Sequence, residues 1–309
     1  MNKFLYQVKK NKVAYYFIAP TLIGMLIMHL LPIVQGFWMA FLKLDLYTLD
    51  QYLGAPGVYF KNFQDIFSAS SGIRDGLRDA ARNTLIYTII VTVGQIGMGM
   101  IVALLLNKEF RGRALVRTLF MFSWIVPTYV TGLLWGFMWQ RSTGVINILL
   151  VDVFHLLSAK PFWLSGINTI FAIIIPTIWR YWPLSMLMLL AGLQNIPESM
   201  YEAADIDGAN DWQKFWRITW PLLKPVWAIL ILFGLIYNVY SFNIVIMMFG
   251  NGGGFPGSWG DLMMTSIFRN SFQQYNFGLG AATSVMLMMI MIGVVQLWYR
   301  FYKESEDIY

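Results

Sequence analysis

The chain has 309 residues, no cysteine and a net charge of +6, with 58% hydrophobic and 12% charged residues. A soluble domain carries about 25% charge, so this composition excludes an ordinary soluble globule, and the lack of cysteine excludes disulfides, thiolate metal sites and a cysteine nucleophile. The bases are scattered among apolar runs and form no stripe, so the positive balance reads as membrane orientation and not as a nucleic-acid surface.

About 20 mainly apolar residues cross a bilayer, and six such runs are expected. They are Val13 to Leu42, broken by Pro20 and Pro32; Thr84 to Leu106; Thr118 to Trp139; Ile167 to Leu193, where Pro176 and Pro183 would open the backbone; Val226 to Phe249; and Gly278 to Trp298. The expected fold is therefore an all-α integral membrane protein with six transmembrane helices. Lys3, Lys9, Lys10 and Lys12 precede the first run, and Lys108, Arg111, Arg113 and Arg117 crowd the link after the second. Lys and Arg favour the cytoplasmic side, which places both termini there, Arg300 and Lys303 included. The Lys43 to Asn83 loop carries balanced charge and falls outside. A basic start before an apolar run can also be a signal peptide. Here the run is too long, holds two prolines and His29, and lacks a small-residue cleavage site, so a retained first span is expected. The stretch Val145 to Leu157 reads as an amphipathic helix on the external face, with His155 as a surface residue. Glycines at Gly94, Gly97, Gly99, Gly132 and Gly136 suit close helix packing.

Residues 198–225 break the charge bias. Glu198, Glu202, Asp205, Asp207 and Asp211 stand against Lys214, Arg217 and Lys224. Pro197 suits a helix start, and Ser199 to Asp207 continues with good helix formers. Gly208 can take the left-handed conformation that ends a helix. Asn210 with Gln213 three residues on resembles a capping box opening a second helix. The apolar side (Tyr201, Ala204, Phe215, Trp216) is too large for a solvated loop, and a projecting helix pair of this kind fits a groove on a soluble partner.

Polar residues inside a membrane are functional candidates. Arg180 lies within IPTIWRYWPLS beside Trp179, Tyr181 and Trp182, and the fifth run holds Tyr237, Asn238, Tyr240, Ser241, Phe242 and Asn243. Aromatic faces with a few fixed polar groups suit a sugar, while an arginine in the path favours an anionic solute such as a uronate or a glycerol phosphate. The structural alternative is that Arg180 snorkels or pairs within the protein.

The stretch Glu202-Ala203-Ala204, Gly208, Ile218, Pro221 resembles the EAA loop of permease subunits of ABC importers, with Trp220 where the pattern has leucine. ARNTLIYT (Ala81 to Thr88), ALLLNKEFRGRALVRTLF (Ala103 to Phe120), Trp124 to Pro127, LAGLQNIPESMYEAA and the NGGG of Asn251 to Gly254 resemble the carbohydrate branch, the maltose and glycerol-phosphate type. The resemblance implies one permease domain over residues 1–309, with a core at 84–300 and a coupling loop at about 195–225. It implies that Tyr201, Glu202, Ala203, Ala204, Asp207, Gly208 and Ala209 dock on a cytosolic ATPase. It also implies a solute path through Thr177, Arg180, Tyr181 and Leu184 before the loop, and through the segment of Asn238, Tyr240, Ser241 and Phe242 after it. The implied partners are a second homologous permease forming a heterodimer, two ATPase subunits, an extracytoplasmic solute-binding protein and a sugar or oligosaccharide. No cofactor or metal is expected on this chain, ATP and Mg being held by the ATPases. The sequence agrees in having no G-x-x-x-x-G-K-[ST] loop, no zinc motif around His29 or His155 and no catalytic set. A secondary transporter, the competing class, would need an intramembrane carboxylate for ion coupling, and none lies in the six runs.

Overall fold

The computed structural model describes residues 10–69, 73–250 and 254–306. Lys3, Lys9 and Asn251 to Gly253 of the sequence reading lie outside the described residues. Among those residues the secondary structure is helical, with one isolated antiparallel bridge between Leu42 and Gly57. Four helices are long and apolar enough to cross a membrane without a break, and two bent pairs bring the total to six if each pair is one span.

The chain divides into two compact units. The first comprises residues up to 74 together with 267–290. It contains α1 (Lys12–Met39), which continues through Pro20 and Pro32 instead of breaking at them, with a wide π-helical turn at Leu26–Leu30. Such a turn accommodates the hydrogen bond that proline cannot donate. No residue of α1 is buried. Behind it Leu42, Leu44 and Ala55 form a small core with Met39, Tyr52 and Phe277. Asn62, on α2 (Lys61–Phe67), closes this corner by donating from Nδ2 to the carbonyls of Ala40 and Leu42, both at 2.9 Å.

The second unit comprises residues 75–266 and the chain after 290. Its long helices are α3 (Arg74–Asn107) and α7 (Asn168–Gln194). The 34 residues of α3 extend about 50 Å at 1.5 Å per residue. It starts ten residues earlier than the apolar run, because Arg74, Asp75, Arg78 and Asp79 are ordinary helix residues that hydropathy alone leaves out. Residues Tyr87, Val91, Gln95, Gly99, Ala103 and Leu106 of α3 are buried, one stripe at helical spacing. The corresponding stripe of α7 passes through two apolar cores, one around Tyr87, Trp135, Ile173 and Val245 and one around Met100, Met186, Leu190 and Leu223. Gly99 lets α3 and α7 meet: a Cβ there would stand 2.8 Å from the Met186 backbone nitrogen.

Three further expected spans differ from the sequence reading. The helix α7 runs unbroken through Pro176 and Pro183. The carbonyl of Ala172, which Pro176 cannot satisfy, instead accepts a hydrogen bond from Trp139 Nε1 at 3.1 Å, the kind of substitute donor that keeps a proline helix continuous in a membrane. The third run is two helices, α4 (Arg113–Ile125) and α5 (Thr128–Met138), bent by 89° at Val126 and Pro127. Val126 is extended (φ −57°, ψ 127°), as a residue before proline prefers. After α6, a short helix that begins at Val145–Asn147 and continues as a π-helix over Ile148–Val153, His155 is exposed at positive φ.

The fifth run is likewise divided. After α8 (Glu198–Ile206), the helix α9 (Asp211–Leu222) meets α10 (Lys224–Val239) at 67°, with Pro225 in the first turn of α10. Then α10 stops at Tyr240, and Asn243–Met248 forms a separate α11. The reason is packing: α11 lies against the glycine face of α5. A Cβ on Gly132 would come to 2.5 Å from the Ile244 carbonyl oxygen, and one on Gly136 to 3.0 Å from that of Met248. A helix extended straight from α10 could not make this approach. After α12 (Met263–Phe268), α13 (Phe277–Glu306) supplies the last long helix.

Candidate docking knuckle and solute cavity

The acidic stretch folds as a capped helix pair. Gly208 stands at φ +77°, a conformation that favours glycine. Its N–H bonds the carbonyl of Asp205 (3.0 Å), and the Ala209 N–H bonds that of Ala204 (2.9 Å). Together these two bonds form a Schellman motif that satisfies the free carbonyls of α8. The next helix opens on a reciprocal capping box: Gln213 N–H donates to Asn210 Oδ1, and Asn210 N–H to Gln213 Oε1, each at 2.9 Å. Two further ties fix the helices against each other. Tyr201 Oη and Thr219 Oγ1 are 2.8 Å apart, and Lys214 Nζ lies 2.8 Å from Asp205 and 3.0 Å from Asp211. The hydrogen bond from Lys214 holds the Asp211 carboxyl below its usual range. The bond to Asp205, and then the one to Asp211, raises Lys214.

This bracing leaves Glu202, Ala203, Asp205, Asp207 and Gly208 exposed, whereas Tyr201, Ala204 and Ala209 are half-buried. The seven residues expected to dock are thus brought together, with some forming the tip and others its support. Ile206 at the same tip is 86% exposed and was missed by sequence reasoning. Its signal was its place between the two halves of the motif. A ladder of rings, Trp212, Phe215, Trp216, Trp220 and Trp227, continues from the knuckle to α10, each neighbour pair 5.1–6.5 Å apart.

The expected solute path divides. A cavity of about 230 Å³ lies between α3, α4, α7 and α10, lined by Gln95, Trp124, Tyr181, Leu184, Ser185, Leu230, Phe233, Gly234, Tyr237 and Asn238. Tyr181, Leu184 and Asn238 of the expected residues meet there. Asn238 donates from Nδ2 to Thr92 Oγ1 at 3.0 Å. Thr177 and Ser241 instead meet at the buried Tyr87 hydroxyl, at 2.8 and 2.9 Å. Tyr240 and Phe242 form the turn between α10 and α11, outside the cavity wall. Arg180 reaches the break between α4 and α5, where Nη1 donates to the carbonyls of Trp124 (3.0 Å) and Val126. A helix end leaves its last carbonyls unpaired and partly negative, so the guanidinium caps α4. Tyr237 was already among the polar candidates of the fifth run, whereas Gln95, Trp124, Ser185 and Phe233 were not among the expected site residues. Gln95 could have been found as an amide inside an otherwise apolar run.

Comparison with known proteins agrees with this architecture. Residues 95–303 match the family described as binding-protein-dependent transport system inner membrane component. The inner membrane ABC transporter permease protein YcjO of Escherichia coli (strain K12) is 31% identical, covering 86% of each chain. The trehalose/maltose transport system permease protein MalF of Thermococcus litoralis is 31% identical, covering 97% of this chain and 96% of the relative. A crystal structure of a bacterial ABC transporter involved in the import of the acidic polysaccharide alginate shares the fold, with TM-score 0.81 at 21% identity over 98% of this chain and 99% of that one. By the family match, the two relatives and its long apolar helices, this chain belongs to the inner membrane components of binding-protein-dependent transport systems, as a multi-pass permease.

Proposed function

We propose that the chain forms half of the translocation path of an ATP-driven saccharide importer and seats a cytosolic ATPase on the tip formed by α8, Gly208 and Ala209. The observation that carries the reading is the knuckle: two helices capped where they meet and cross-braced by Tyr201–Thr219 and Lys214, yet with Glu202, Ala203, Asp207 and Gly208 at the tip left exposed. Rigid bracing behind an open tip suits the transmission of force from a partner. The trehalose/maltose name of a 31% identical relative supports the saccharide class.

In this reading both termini and the knuckle lie on the cytosolic side. The chain is non-catalytic, and ATP with Mg is held by two separate ATPase subunits. A second homologous permease completes the path as a heterodimer, and an external binding protein delivers solute. Closure of the ATPases on ATP moves the knuckle, and the helices attached to it exchange an inward-open for an outward-open packing.

The test is Gly208→Val in the assembled transporter. No heavy atom lies within 4 Å of a Cβ at this position, so the substitution acts through the left-handed backbone, which costs a non-glycine residue about 1–2 kcal/mol and a β-branched residue more. The variant inserts normally, and its ATP-driven uptake is uncoupled. Gly208→Asn, whose side chain tolerates this conformation, keeps uptake. Normal ATP-driven uptake by the valine variant refutes the docking role.

A further inference from the structure

We infer that this chain's part of the solute path recognises an uncharged sugar ring and disfavours acidic saccharides, and that Gln95 is its specificity-determining residue. The inference rests on the saccharide-permease reading and narrows it to a charge class.

Three observations point the same way. First, none of the residues lining the cavity carries a charge. Arg180, next to the cavity residue Tyr181, has its Nη1 on two α4 carbonyls and its guanidinium carbon 5.3 Å from the centre of the Tyr181 ring. Its Nη1 faces the negative end of a helix, its Nε is buried without a partner, and Arg180 is not among the residues that line the cavity. A carboxylate entering this space would lose its hydration without gaining a charged partner, which is strongly unfavourable in an apolar surround.

Second, the wall holds unused hydrogen-bonding groups of the neutral kind. Gln95 is 6% exposed and Ser185 is 2% exposed, and neither side chain has a hydrogen-bond partner among the described residues. Buried amides and hydroxyls ordinarily have partners. An amide offers two donors and an acceptor side by side, and a hydroxyl both donates and accepts, so a polyhydroxylated ring satisfies both groups where a carboxylate would satisfy only the donors. Gln95 lies close against Gly234: a Cβ there would stand 3.0 Å from its Nε2 and 2.7 Å from Thr92 Oγ1. The absence of a side chain at Gly234 is what leaves room beside the amide.

Third, Trp124, Tyr181, Phe233 and Tyr237 supply aromatic surface around these groups, which matches the apolar C–H face of a sugar. The volume of about 230 Å³ falls below the ~300–1,000 Å³ of sites for drug-sized ligands, so the cavity takes one ring of a chain at a time.

The experiment uses the assembled permease–ATPase complex in lipid nanodiscs, without the solute-binding protein, so that the path alone selects. Equilibrium binding is measured for a neutral glucose trimer, a uronate trimer and the methyl ester of that uronate trimer. The ester keeps the shape and removes the charge. The expected result is that the glucose trimer and the ester bind, the free uronate binds at least about tenfold more weakly, and Gln95→Leu weakens the neutral trimer by about fivefold. Gln95→Glu keeps an acceptor and nearly the same volume. It retains the neutral trimer and lowers uronate binding further, which separates recognition from a collapsed cavity. Uronate binding equal to that of its ester, or unchanged neutral binding in Gln95→Leu, overturns the inference and leaves the permease reading intact. A chain that assembles with no ATPase overturns that reading, and this inference with it.

Discussion

Replacing Arg180 by alanine removes the donor that closes the end of α4, and the structure sets the size of the effect. Two carbonyls, those of Trp124 and Val126, lose the guanidinium. In soluble proteins each hydrogen bond from a charged donor contributes about 1.5–3 kcal/mol. Hydrogen bonds between membrane helices average about 0.6 kcal/mol, with a maximum near 1.7, because the unfolded state in lipid also finds partners. The smaller range applies, since Arg180 lies at the middle of α7, and two bonds then amount to about 1–3 kcal/mol. The loss falls on the 89° bend, where Pro127 has no N–H to offer in place of the guanidinium. Arg180→Lys keeps a charge but not the planar fork and should recover about half. The assay is unfolding of the complex by a denaturing detergent, with solute affinity measured separately on the same variants. Stability and affinity should fall together in Arg180→Ala and recover together in Arg180→Lys. If Arg180→Ala unfolds like the parent while binding of an anionic solute alone collapses, the guanidinium is a solute ligand, and both the capping role and the uncharged cavity are wrong.

Two further outcomes follow from the geometry. Trp139→Phe leaves the Ala172 carbonyl without its donor and should destabilise by about 0.6–1.7 kcal/mol. In a Pro176→Ala background the helix supplies its own N–H, and the same substitution should cost much less, so an unchanged cost in the double-mutant cycle rules out the indole as the replacement donor. The Lys214 brace should be flat across neutral pH. Asp211 is depressed from its ordinary value of 3.8, so its contribution is present above that value and is lost as pH falls through the lower folded one. Lys214 is raised from 10.5, so its contribution is present below that value and is lost as pH rises through the higher folded one. Hydrogen exchange of the amides of residues 209–214 should therefore show constant protection from about pH 5 to 9 after correction for the intrinsic rate. A step inside that window contradicts the brace.

The helices legible in the sequence were those whose evidence is local. Hydropathy located every apolar run because burial and lipid exposure both require apolar side chains. The Gly208 stop and the Asn210–Gln213 box were legible because caps act within one turn. The misread features depend on residues far apart in the chain. Pro176 looked like a breaker because the sequence does not show that Trp139, 37 positions earlier, donates to the Ala172 carbonyl. Val226 to Phe249 looked like one span because nothing nearby announces that Gly132 and Gly136 hold α11 against α5. The path residues fared likewise. Intramembrane polarity pointed to Arg180 and Ser241, and the resemblance to Thr177, as solute-path candidates; in the structure their hydrogen bonds go to Trp124, Val126 and Tyr87 within the protein.

The position of the cavity relative to the knuckle gives the aromatic ladder a physical role. Trp220 and Trp227 stack at 5.5 Å with an interplanar angle of 17°, across the bend between α9 and α10. Trp227 Nε1 also donates to the Trp220 carbonyl at 3.2 Å. A 67° bend between two helices is ordinarily a hinge, able to absorb motion at one end without moving the other. Stacked rings and a hydrogen bond across the bend resist that flexing, and Tyr201 on Thr219 ties α8 to the same rigid piece. A displacement of the tip would therefore reach α10, whose Gly234, Tyr237 and Asn238 line the cavity, instead of being dissipated at Leu223. Arg180 does the equivalent at the other bend, where α4 brings Trp124 to the same wall. Both interrupted spans are braced at their breaks, an arrangement that favours movement of whole helices over local softening.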